Sequence, residues 1–465
     1  MTNILLVEPN FPYPKKSKHR ASLTHKNFVP IALLKLGSYH KSLGHTIKLV
    51  RGNKSKKDLG NFVPHKILIT SLFTYWSKFV WDSAKHYRDL YPKAKIIIGG
   101  IYVTLHCNTT DFSVYAKKCN IQYYKGLHEK AEKFLPDYSL IPNVNYHATH
   151  AMRGCIRKCK FCGVWKLEPK LQCKNPKTLI EEIKKANRNK VIFFDNNFLA
   201  NRYITKILEE LPKIRINNRV VSYESQSGFD GRILEKSPNL AILLKKARFK
   251  YPRIAWDGPA SEAFSIKKQI NILKKAGYKS KNITVFMIYN YDIPYEEIVK
   301  KAKFCKKWGV QISDCRYRPL DSLFDNYNSY KKSGQDNADY HIHIKSGWTD
   351  KKIRSFRKLI REQNIGVRYG KDGEYHIEIE RKYPPIKELH KKFGIKEKTP
   401  KLKTLETDNK LKERMILMKK IETICRKNEM DLPILEEINE NAINNYLADF
   451  YNKAIHKNQR SIYEF

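Results

Sequence analysis

Short apolar runs of strand length alternate with helical segments from the N-terminus to Pro319. Runs that are apolar at nearly every position are typical of strands buried on both faces, as in parallel sheets covered by helices. The regular alternation of strand and helix therefore predicts an α/β fold. With 465 residues the chain exceeds the usual size of a single domain, and we expect two or three domains.

Residues 1–141 are predicted to form a Rossmann-like, doubly wound parallel sheet. The strand candidates are residues 4–8, 47–52, 66–72, 95–100 and, more weakly, 121–126, with helices at 29–44 and 81–92. Ligands of such sheets bind at the carboxyl ends of the strands, which here carry Ser71, Thr74, Gly99, Gly100 and Gly126. The glycines would let a large flat ligand approach the backbone, although strand-to-helix turns account for such glycines more often.

Residues 142–335 are predicted to form a partial (βα)6 barrel, whose chemistry would lie at the carboxyl ends of its strands. The six strand candidates are residues 146–152, 191–197, 219–226, 253–258, 283–290 and 310–319, with helices at 176–188, 241–249 and 295–309. Residues 336–465 are predicted to form a small, mostly α-helical C-terminal region. It would begin with a helix at 348–364, capped by Thr349.

Three of the nine cysteines, Cys155, Cys159 and Cys162, fall within eight residues directly after the first predicted barrel strand. A disulfide framework is not expected in a cytosolic chain, because reducing compartments keep thiols free. Clustered cysteines indicate metal or redox chemistry instead. Three thiolates of one loop can bind three irons of a cubane cluster and leave the fourth iron without a protein ligand.

A structural zinc site is the alternative for the cysteine triplet. Such a site needs a fourth ligand, which Cys173, His147 or His150 could supply. A compact triplet without a second ligand pair is nevertheless a poor zinc pattern. Elsewhere, His341 and His343 would share one face of a strand and form a candidate metal pair, but no third ligand accompanies them.

The motif MRGCIRKCKFCGVW at 152–165, with Phe161 just before the third cysteine, resembles that of the radical S-adenosylmethionine (SAM) superfamily. Residues 1 to about 320 further resemble its subgroup with an N-terminal cobalamin-binding-like domain, with echoes at 70–77, 90–105, 125–141 and 191–202. The resemblance implies a 4Fe–4S cluster that cleaves SAM reductively to a 5′-deoxyadenosyl radical. It also implies an electron donor such as a flavodoxin or ferredoxin.

The resemblance implies roles for individual positions. The cluster ligands would be Cys155, Cys159 and Cys162, and Phe161 would lie beside the adenine of SAM. Further cofactor contacts would come from polar residues at strand ends: Asp195, Asn196 and Asn197 toward the SAM amino group, and Glu224, Gln226 and Asp257 toward its ribose or carboxylate. Capping of the following helix is the alternative role for side chains of this type.

The resemblance leaves cobalamin as an open possibility. Modules with a cobalt-binding histidine carry Asp-x-His-x-x-Gly, which this chain lacks, but many members of the subgroup bind cobalamin without that histidine. The stretch GLHE at 126–129 also stands where relatives often have Gly-Glu-Gly-Glu. With cobalamin bound, methyl transfer would be the reaction; without it, the domain would serve structure or substrate docking.

The formal charge of +44, from 90 Lys and Arg against 46 Asp and Glu, favours a polyanionic partner. A radical enzyme that modifies tRNA or DNA is therefore one hypothesis. A basic nucleic-acid-binding protein with a structural iron–sulfur or zinc site is another. A lysine-rich composition gives the same charge without any such function. No apolar run is long enough to span a bilayer and no signal peptide is evident, so we expect a cytoplasmic protein.

The run DCRYRPLDSLFDNYNSYKK at 314–332 mixes aromatic and basic residues. It could hold substrate phosphates or stack on bases. The alternative, which we favour, is a segment that closes the barrel, with its arginines paired to Asp314, Asp321 and Asp325.

Overall fold

The computed structural model describes residues 2–13, 28–325 and 346–369. The chain forms two compact units, residues 1–360 and 361–465. Most of the predicted C-terminal region therefore lies outside the described residues, as do His341 and His343. The predicted domain boundaries at residues 141 and 335 stay predictions.

The first part of the larger unit is a five-stranded, wholly parallel sheet with the strand order β2-β1-β3-β4-β5. Its strands are β1 Asn3–Glu8, β2 Thr46–Arg51, β3 Lys66–Ser71, β4 Lys95–Gly100 and β5 Gln122–Tyr124. Its helices are α1 Ile31–Ser42, α2 Lys56–Leu59, α3 Ser77–Leu90, α4 Ile101–His106, α5 Thr110–Lys118 and α6 Glu129–Glu132. Each predicted strand run overlaps one of these strands.

Both faces of strand β1, which lies between β2 and β3, are buried, as its apolar run predicts. Leu5 and Val7 pack into the core on one face of the sheet. Ile4 and Leu6 pack on the other face, against Leu33 of α1. A strand that alternates between two cores must be apolar at every position, which explains the unbroken run.

The second part contains the strands and helices of the predicted barrel. Its strands are β6 His147–Thr149, β7 Met152–Arg153, β8 Gln172–Cys173, β9 Lys190–Phe193, β10 Arg215–Ile216, β11 Arg219–Val220, β12 Ser222–Ser225, β13 Arg253–Ala255, β14 Thr284–Tyr289 and β15 Gln311–Arg316. Its α-helices are α7 Val164–Leu167, α8 Pro176–Ala186, α9 Ile204–Glu210, α10 Gly231–Lys236, α11 Asn239–Lys246, α12 Ala263–Lys275, α13 Tyr295–Trp308 and α14 Asp350–Tyr369. Short 3-10 helices lie at Tyr138–Leu140, Phe198–Ala200, Leu211–Lys213, Ala260–Glu262 and Ser280–Asn282.

The six predicted barrel strands form two parallel sheets of three strands, β12-β9-β6 and β13-β14-β15. The predicted run of six neighbouring strands is thus interrupted between β12 and β13. At this point isolated bridges replace a continuous ladder: Phe229 pairs with Ile254, and Tyr223 of β12 pairs with Phe249, just before β13. Arg253 completes the junction, because its guanidinium donates to the Ser225 carbonyl over 2.6 Å and forms a buried ion pair with Glu224.

The two parts of the larger unit share a core. Val29 and Leu34, at the start of α1, pack with Tyr146 and Ala148 of the β6 segment and with Ile192 of β9. The N-terminal part and strands β6 and β9 therefore pack on a common core that includes α1.

Helix α14 begins where the sequence predicts. Thr349 caps it, since the Lys352 amide donates to the Thr349 hydroxyl over 3.2 Å. Among the described residues, no helix combines the length and the apolar content that crossing a bilayer requires.

Candidate active site

The cysteine triplet lies on the loop between β7 and α7, just beyond β6. Its three thiols are half-buried and free. The loop turns tightly, because the Cys162 amide donates to the Cys159 carbonyl over 3.0 Å. The Cys155 sulfur accepts from the Arg157 amide at 3.4 Å and lies 3.8 Å from the Asn197 amide nitrogen.

The thiols of this loop influence one another electrostatically. Burial raises the pKa of Cys159 and Cys162, and the negative charges of neighbouring thiolates and of Asp257 raise it further. A cubane cluster suits such a set, because each thiolate binds a different iron and the sulfurs need not converge on one ion. The three half-buried thiols of one loop therefore fit a 4Fe–4S cluster as a donor set.

A single-ion zinc site is not evident in the described part of the chain. No group of three or more His, Cys, Asp or Glu side chains there could hold one metal ion. His147 is engaged at both ring nitrogens, by the Tyr138 hydroxyl at 3.1 Å and by Glu182 at 3.3 Å. This placement gives the zinc alternative no support.

Asp195, which is predicted to contact SAM, binds the backbone that leads into the cysteine loop. It follows β9 and is fully buried. Its two carboxylate oxygens accept from the amides of Ala151, at 3.0 Å, and Met152, at 2.5 Å. Burial raises the pKa of this carboxyl to about 7. Asp195 thus has a positioning role for the loop, and its contact with SAM stays a prediction.

The neighbouring asparagines have different surroundings. Asn196 donates to a Glu168 oxygen over 2.9 Å. Asn197 is nearly inaccessible, and its amide nitrogen lies 3.2 Å from Asp230 as well as near Cys155. The Asn197 carbonyl oxygen is buried without a hydrogen-bond donor among the described residues. Of the three strand-end residues, Asn197 is thus the one with an unused acceptor beside the thiols.

Glu168 and Asp230 hold the loop but were not predicted from the sequence. Glu168 accepts from the Gly154 amide at 2.8 Å and pairs with Arg153 at 2.7 Å, while Asp230 pairs with Arg157 at 2.8 Å. Asp230 stands shortly after β12, so the strand-end rule could have found it. Glu168 follows a short helix and carries no comparable signal.

Gly154 adopts a backbone conformation that leaves no room for a side chain. Its φ is +81°, and a Cβ there would lie 2.8 Å from the Lys170 carbonyl oxygen. A glycine before the first cysteine is therefore required by this backbone conformation.

The loop is also connected to the N-terminal sheet by an ion-pair chain. Arg153 contacts Glu132 of α6 at 2.8 Å, and Glu132 contacts the buried Lys35 of α1 at 2.9 Å. Together with Glu168, these side chains link α1 to the residue before Gly154.

The remaining predicted cofactor contacts divide into two kinds. Glu224 forms a buried ion pair with Arg253. The backbone amide of Gln226 donates to the Phe193 carbonyl over 2.8 Å and so extends the hydrogen bonding between β12 and β9. Asp257, beyond β13, acts electrostatically on Cys159, so it belongs to the surroundings of the cysteine loop.

Asp257 is the predicted contact most consistent with a site role. Burial raises its pKa to about 6. Lys301 of α13 holds the backbone around it, because its ammonium donates to the carbonyls of Trp256 at 2.6 Å and Gly258 at 2.9 Å.

Phe161 forms an aromatic wall with residues beyond the last two barrel strands. Its ring meets Tyr291 edge-on at 5.6 Å, and Tyr291 lies 4.7 Å from the ring of Tyr317. Tyr291 follows β14 and Tyr317 follows β15. The loop is therefore bordered by residues from the carboxyl ends of several parallel strands, where α/β enzymes have their sites.

The carboxyl edge of the N-terminal sheet is engaged by the chain itself. Gly100, at φ +104°, packs so closely that a Cβ would lie 2.2 Å from the Ser71 carbonyl oxygen. This glycine allows the close contact between the neighbouring strand ends of β3 and β4. Ser71 and Thr74 are both buried.

Residues 316–325, which we call the covering segment, lie across this edge. The Asp325 amide donates to the Tyr75 carbonyl over 3.2 Å, and the Ser77 hydroxyl donates to the Leu323 carbonyl over 2.5 Å. A ring nitrogen of His106 lies 2.9 Å from the Leu320 carbonyl oxygen. These contacts place the covering segment over the chain that follows β3 and β4, and cobalamin binding stays an open possibility.

The arginines of the covering segment are used structurally. Asp325 pairs with Arg316 and, at 2.6 Å, with Arg318, whose guanidinium lies 4.2 Å from the Tyr75 ring centroid. Asp314 pairs with Arg357 of α14 at 3.6 Å. These contacts favour the closing role for the described part of the aromatic-basic run.

Comparison with known proteins identifies the family of the second part. Residues 150–360 match the family model described as the radical SAM superfamily, a span that includes the cysteine loop and the ends of β9, β12, β13, β14 and β15. No curated protein matches the chain. The family implies a 4Fe–4S cluster and SAM, and it supports an enzymatic function. Residues 150–360 are therefore a radical SAM superfamily domain.

Proposed function

We propose that Cys155, Cys159 and Cys162 bind a 4Fe–4S cluster with which this enzyme cleaves SAM reductively, in the cytoplasm. The observation that carries the proposal is the set of three half-buried thiols on one loop within the radical SAM domain. The electron would come from a donor such as a flavodoxin or ferredoxin.

The strand arrangement supports the finer fold that we propose for this enzyme. The order β2-β1-β3-β4-β5 is that of a doubly wound, Rossmann-like sheet. Two three-stranded parallel sheets with helices between their strands are consistent with a partial (βα)6 barrel that is divided between β12 and β13.

The chain's own residues would perform binding, orientation and exclusion of water. When bound, the cluster supplies the electron that breaks a C–S bond of SAM, and cofactor chemistry of this kind depends on the protein for orientation. Asn197 offers a buried acceptor beside Cys155, which suits the amino group of SAM. Phe161 and Tyr291 offer an aromatic wall for the adenine. Asp195 and Glu168 hold the backbone of the loop.

Anaerobic reconstitution tests this proposal. The protein is loaded with iron and sulfide, reduced with dithionite and mixed with SAM, and the products are separated by chromatography. We expect broad iron–sulfur absorption and formation of 5′-deoxyadenosine and methionine. Cys159→Ala should lose the cluster, whereas the matched control Cys173→Ala, outside the triplet, should retain it. Failure of the wild type to take up a cluster, or equal loss in the control, would refute the assignment.

Cobalamin-dependent methyl transfer is the second function that the subgroup resemblance suggests. The strand order of the N-terminal sheet favours it, but the covering segment does not. Methyl transfer is therefore not part of the reaction that we propose. Gel filtration with hydroxocobalamin should give protein free of cobalamin absorbance. Retained cobalamin together with S-adenosylhomocysteine as a product would restore the methyltransferase hypothesis.

A basic nucleic-acid-binding protein with a purely structural cluster or zinc remains the rival from another class. This rival hypothesis predicts a different result. A cluster-loaded protein would bind nucleic acid but would form no 5′-deoxyadenosine from SAM when the nucleic acid is present. Adding a tRNA and a DNA oligonucleotide to the cleavage reaction separates the two functions, because a radical enzyme that modifies nucleic acid should be stimulated by its substrate.

A further inference from the structure

Stacked aromatic rings line the outer face of helix α13. Phe304 and Trp308, one helical turn apart, stack at 5.5 Å with an interplanar angle of 23°. Phe304 is 38% exposed, and Phe264, near the start of the adjacent helix α12, is 84% exposed. Exposed rings beside a positively charged surface are the feature with which proteins bind the bases of single-stranded nucleic acids.

Three lysines of α12 and α13 accompany these rings, and one of them contacts Trp308. The Lys267 ammonium lies 5.5 Å from the centroid of the Trp308 ring, and Lys307 is the neighbour of Trp308 in α13. The charges of Lys274 and Lys307 act on Lys267, whose pKa is lowered first by burial and then by these two. Like charges grouped on a surface repel each other, and a polyanion would relieve that repulsion.

Two of the carboxylates nearby pair with other lysines, and a third, Glu262, lies just before α12. Glu297 pairs with Lys300 at 3.0 Å, and Glu235 lies 3.8 Å from Lys268. The ion pairs found among residues 2–13, 28–325 and 346–369 include none with Lys267, Lys274 or Lys307. The three ammonium groups are thus free of carboxylate partners within the described chain. We call Phe264, Lys267, Lys274, Phe304, Lys307 and Trp308 the α12–α13 patch.

The patch is linked to the surroundings of the cysteine site through the core. Trp308 stacks on Trp256 at 5.7 Å, and Trp256 immediately precedes Asp257, whose charge acts on Cys159. Phe264 is the second residue of α12, and helices that follow barrel strands begin at the edge that carries the chemistry. A nucleic acid that extends along the patch from Lys307 to Phe264 would therefore run toward the edge where the cysteines lie.

We propose that the α12–α13 patch binds a nucleic acid with unpaired bases, and that such a nucleic acid is the substrate class of the radical enzyme. The exposed rings would stack on bases and the lysines would neutralise phosphates. The choice of substrate class rests on the proposed function, whereas the binding surface does not.

Fluorescence anisotropy tests the surface directly. Labelled tRNA, a single-stranded DNA of about 20 nucleotides and its duplex are titrated with the protein over a series of salt concentrations. Lys267→Glu with Lys307→Glu should weaken binding and reduce the slope of log K against log salt by about 1.4 to 1.8, the value for two lost phosphate contacts. Lys184→Glu with Lys185→Glu, on the exposed end of α8, changes the net charge equally and should leave binding near the wild-type value.

Phe304→Ala separates stacking from electrostatics. Loss of one stacked base should weaken binding of the unpaired probes by about 5- to 150-fold at every salt concentration, with the salt slope unchanged. Duplex DNA should bind less tightly than either unpaired probe, because its bases are already stacked.

Several results would overturn the proposal. The α8 control could weaken binding as much as the patch variant does, which would mean that binding follows net charge alone. Absence of binding by every probe at about 50 mM salt would also overturn it. So would binding of an acidic polypeptide such as polyglutamate as tightly as tRNA. Cluster loading and SAM cleavage by the patch variant, measured separately, distinguish a failure of this surface from a failure of the proposed function.

Discussion

At the scale of single residues, polar side chains beyond the strands divide into those that bind the backbone and those that face the thiols. Asp195 and Glu168 accept backbone amides, and Glu224 is used in an ion pair. Asn197 and Asp257 lie beside the cysteines. The position of a polar residue at a strand end therefore identifies a candidate but does not assign its role.

Asp195→Asn should alter how stability depends on pH. Burial raises the pKa of Asp195 to about 7, whereas an unfolded Asp titrates near about 3.9. The folded state therefore binds the proton more tightly, and this group's contribution to the free energy of unfolding falls as pH rises from about 4 to about 7. The variant cannot titrate, so the wild type should lose stability relative to it across that range in urea unfolding.

The control for this prediction is Asp58→Asn. Hydrogen bonds from Ser55 lower the pKa of Asp58, so this carboxyl titrates below the range in which Asp195 does. The difference between wild type and this variant should stay nearly constant from about pH 5 to about 7, above the range in which an unfolded Asp titrates. A constant difference for Asp195→Asn as well would contradict the buried, proton-holding environment.

At the scale of elements, strand β7 has only two residues, which is too short to hold the cysteine loop in position without other contacts. It pairs with β8, and Arg153 ties it to α6 and, through Glu132, to α1. Lys35 of α1 is almost completely buried, so its charge depends on Glu132 for compensation. We expect this ion-pair chain to hold the loop in position.

Lys35→Met should loosen the cysteine loop. The Lys35 side chain is 3% exposed, and its loss leaves Glu132 with Arg153 as its remaining cation. We expect a loss of about 1–3 kcal/mol in the free energy of unfolding, less than for an ion left wholly unpaired. Urea unfolding of the apoprotein and the rate of iron loss from the reconstituted protein to a chelator measure the effect.

Lys41→Met is the matched control on the same helix. Lys41 pairs with Asp137 at 2.6 Å, but its side chain is 44% exposed, and surface pairs contribute about 0–1 kcal/mol. Iron loss should stay at the wild-type rate. Equal iron loss in both variants would show that the chain from Lys35 to Arg153 does not hold the loop.

At the scale of the larger unit, the N-terminal sheet and the barrel strands share a core. Leu34 of α1 is fully buried among Tyr146, Ala148 and Ile192. Residues 1–360 also form one compact unit, although they contain two separate groups of parallel strands. We therefore expect these residues to unfold together.

Leu34→Ala should weaken both groups of strands. A buried Leu→Ala change removes about 2–5 kcal/mol, and a shared core transmits that loss to β3 and to β9. Hydrogen exchange by mass spectrometry should show faster exchange in peptides that contain 66–71 and 190–193. Leu43→Ala, at a residue 52% exposed, should leave both unchanged. Faster exchange in the N-terminal peptides alone would indicate independent folding.

Much of the secondary structure could be predicted from local signals, with instructive exceptions. The run 219–226 was predicted as one strand, but it divides into β11, paired antiparallel with β10, and β12, in the parallel sheet. Asn217 and Asn218, at φ +49° and +59°, form the turn of the small hairpin. Asparagine tolerates positive φ, so the consecutive asparagines were a sequence signal for a turn at this point.

The positions of the strands, the helices and the cysteine triplet follow from the local sequence, because apolar periodicity and residue spacing act over a few neighbours. The partners of the polar residues do not. Asp195 meets amides 44 and 43 residues earlier in the chain, and Ser77 meets Leu323 across 246 residues. Local patterns carry no information about such pairings, because chain packing brings those atoms together. The position of the cysteine loop was thus predictable from the sequence, whereas the hydrogen bonds and ion pairs that hold it depend on the fold.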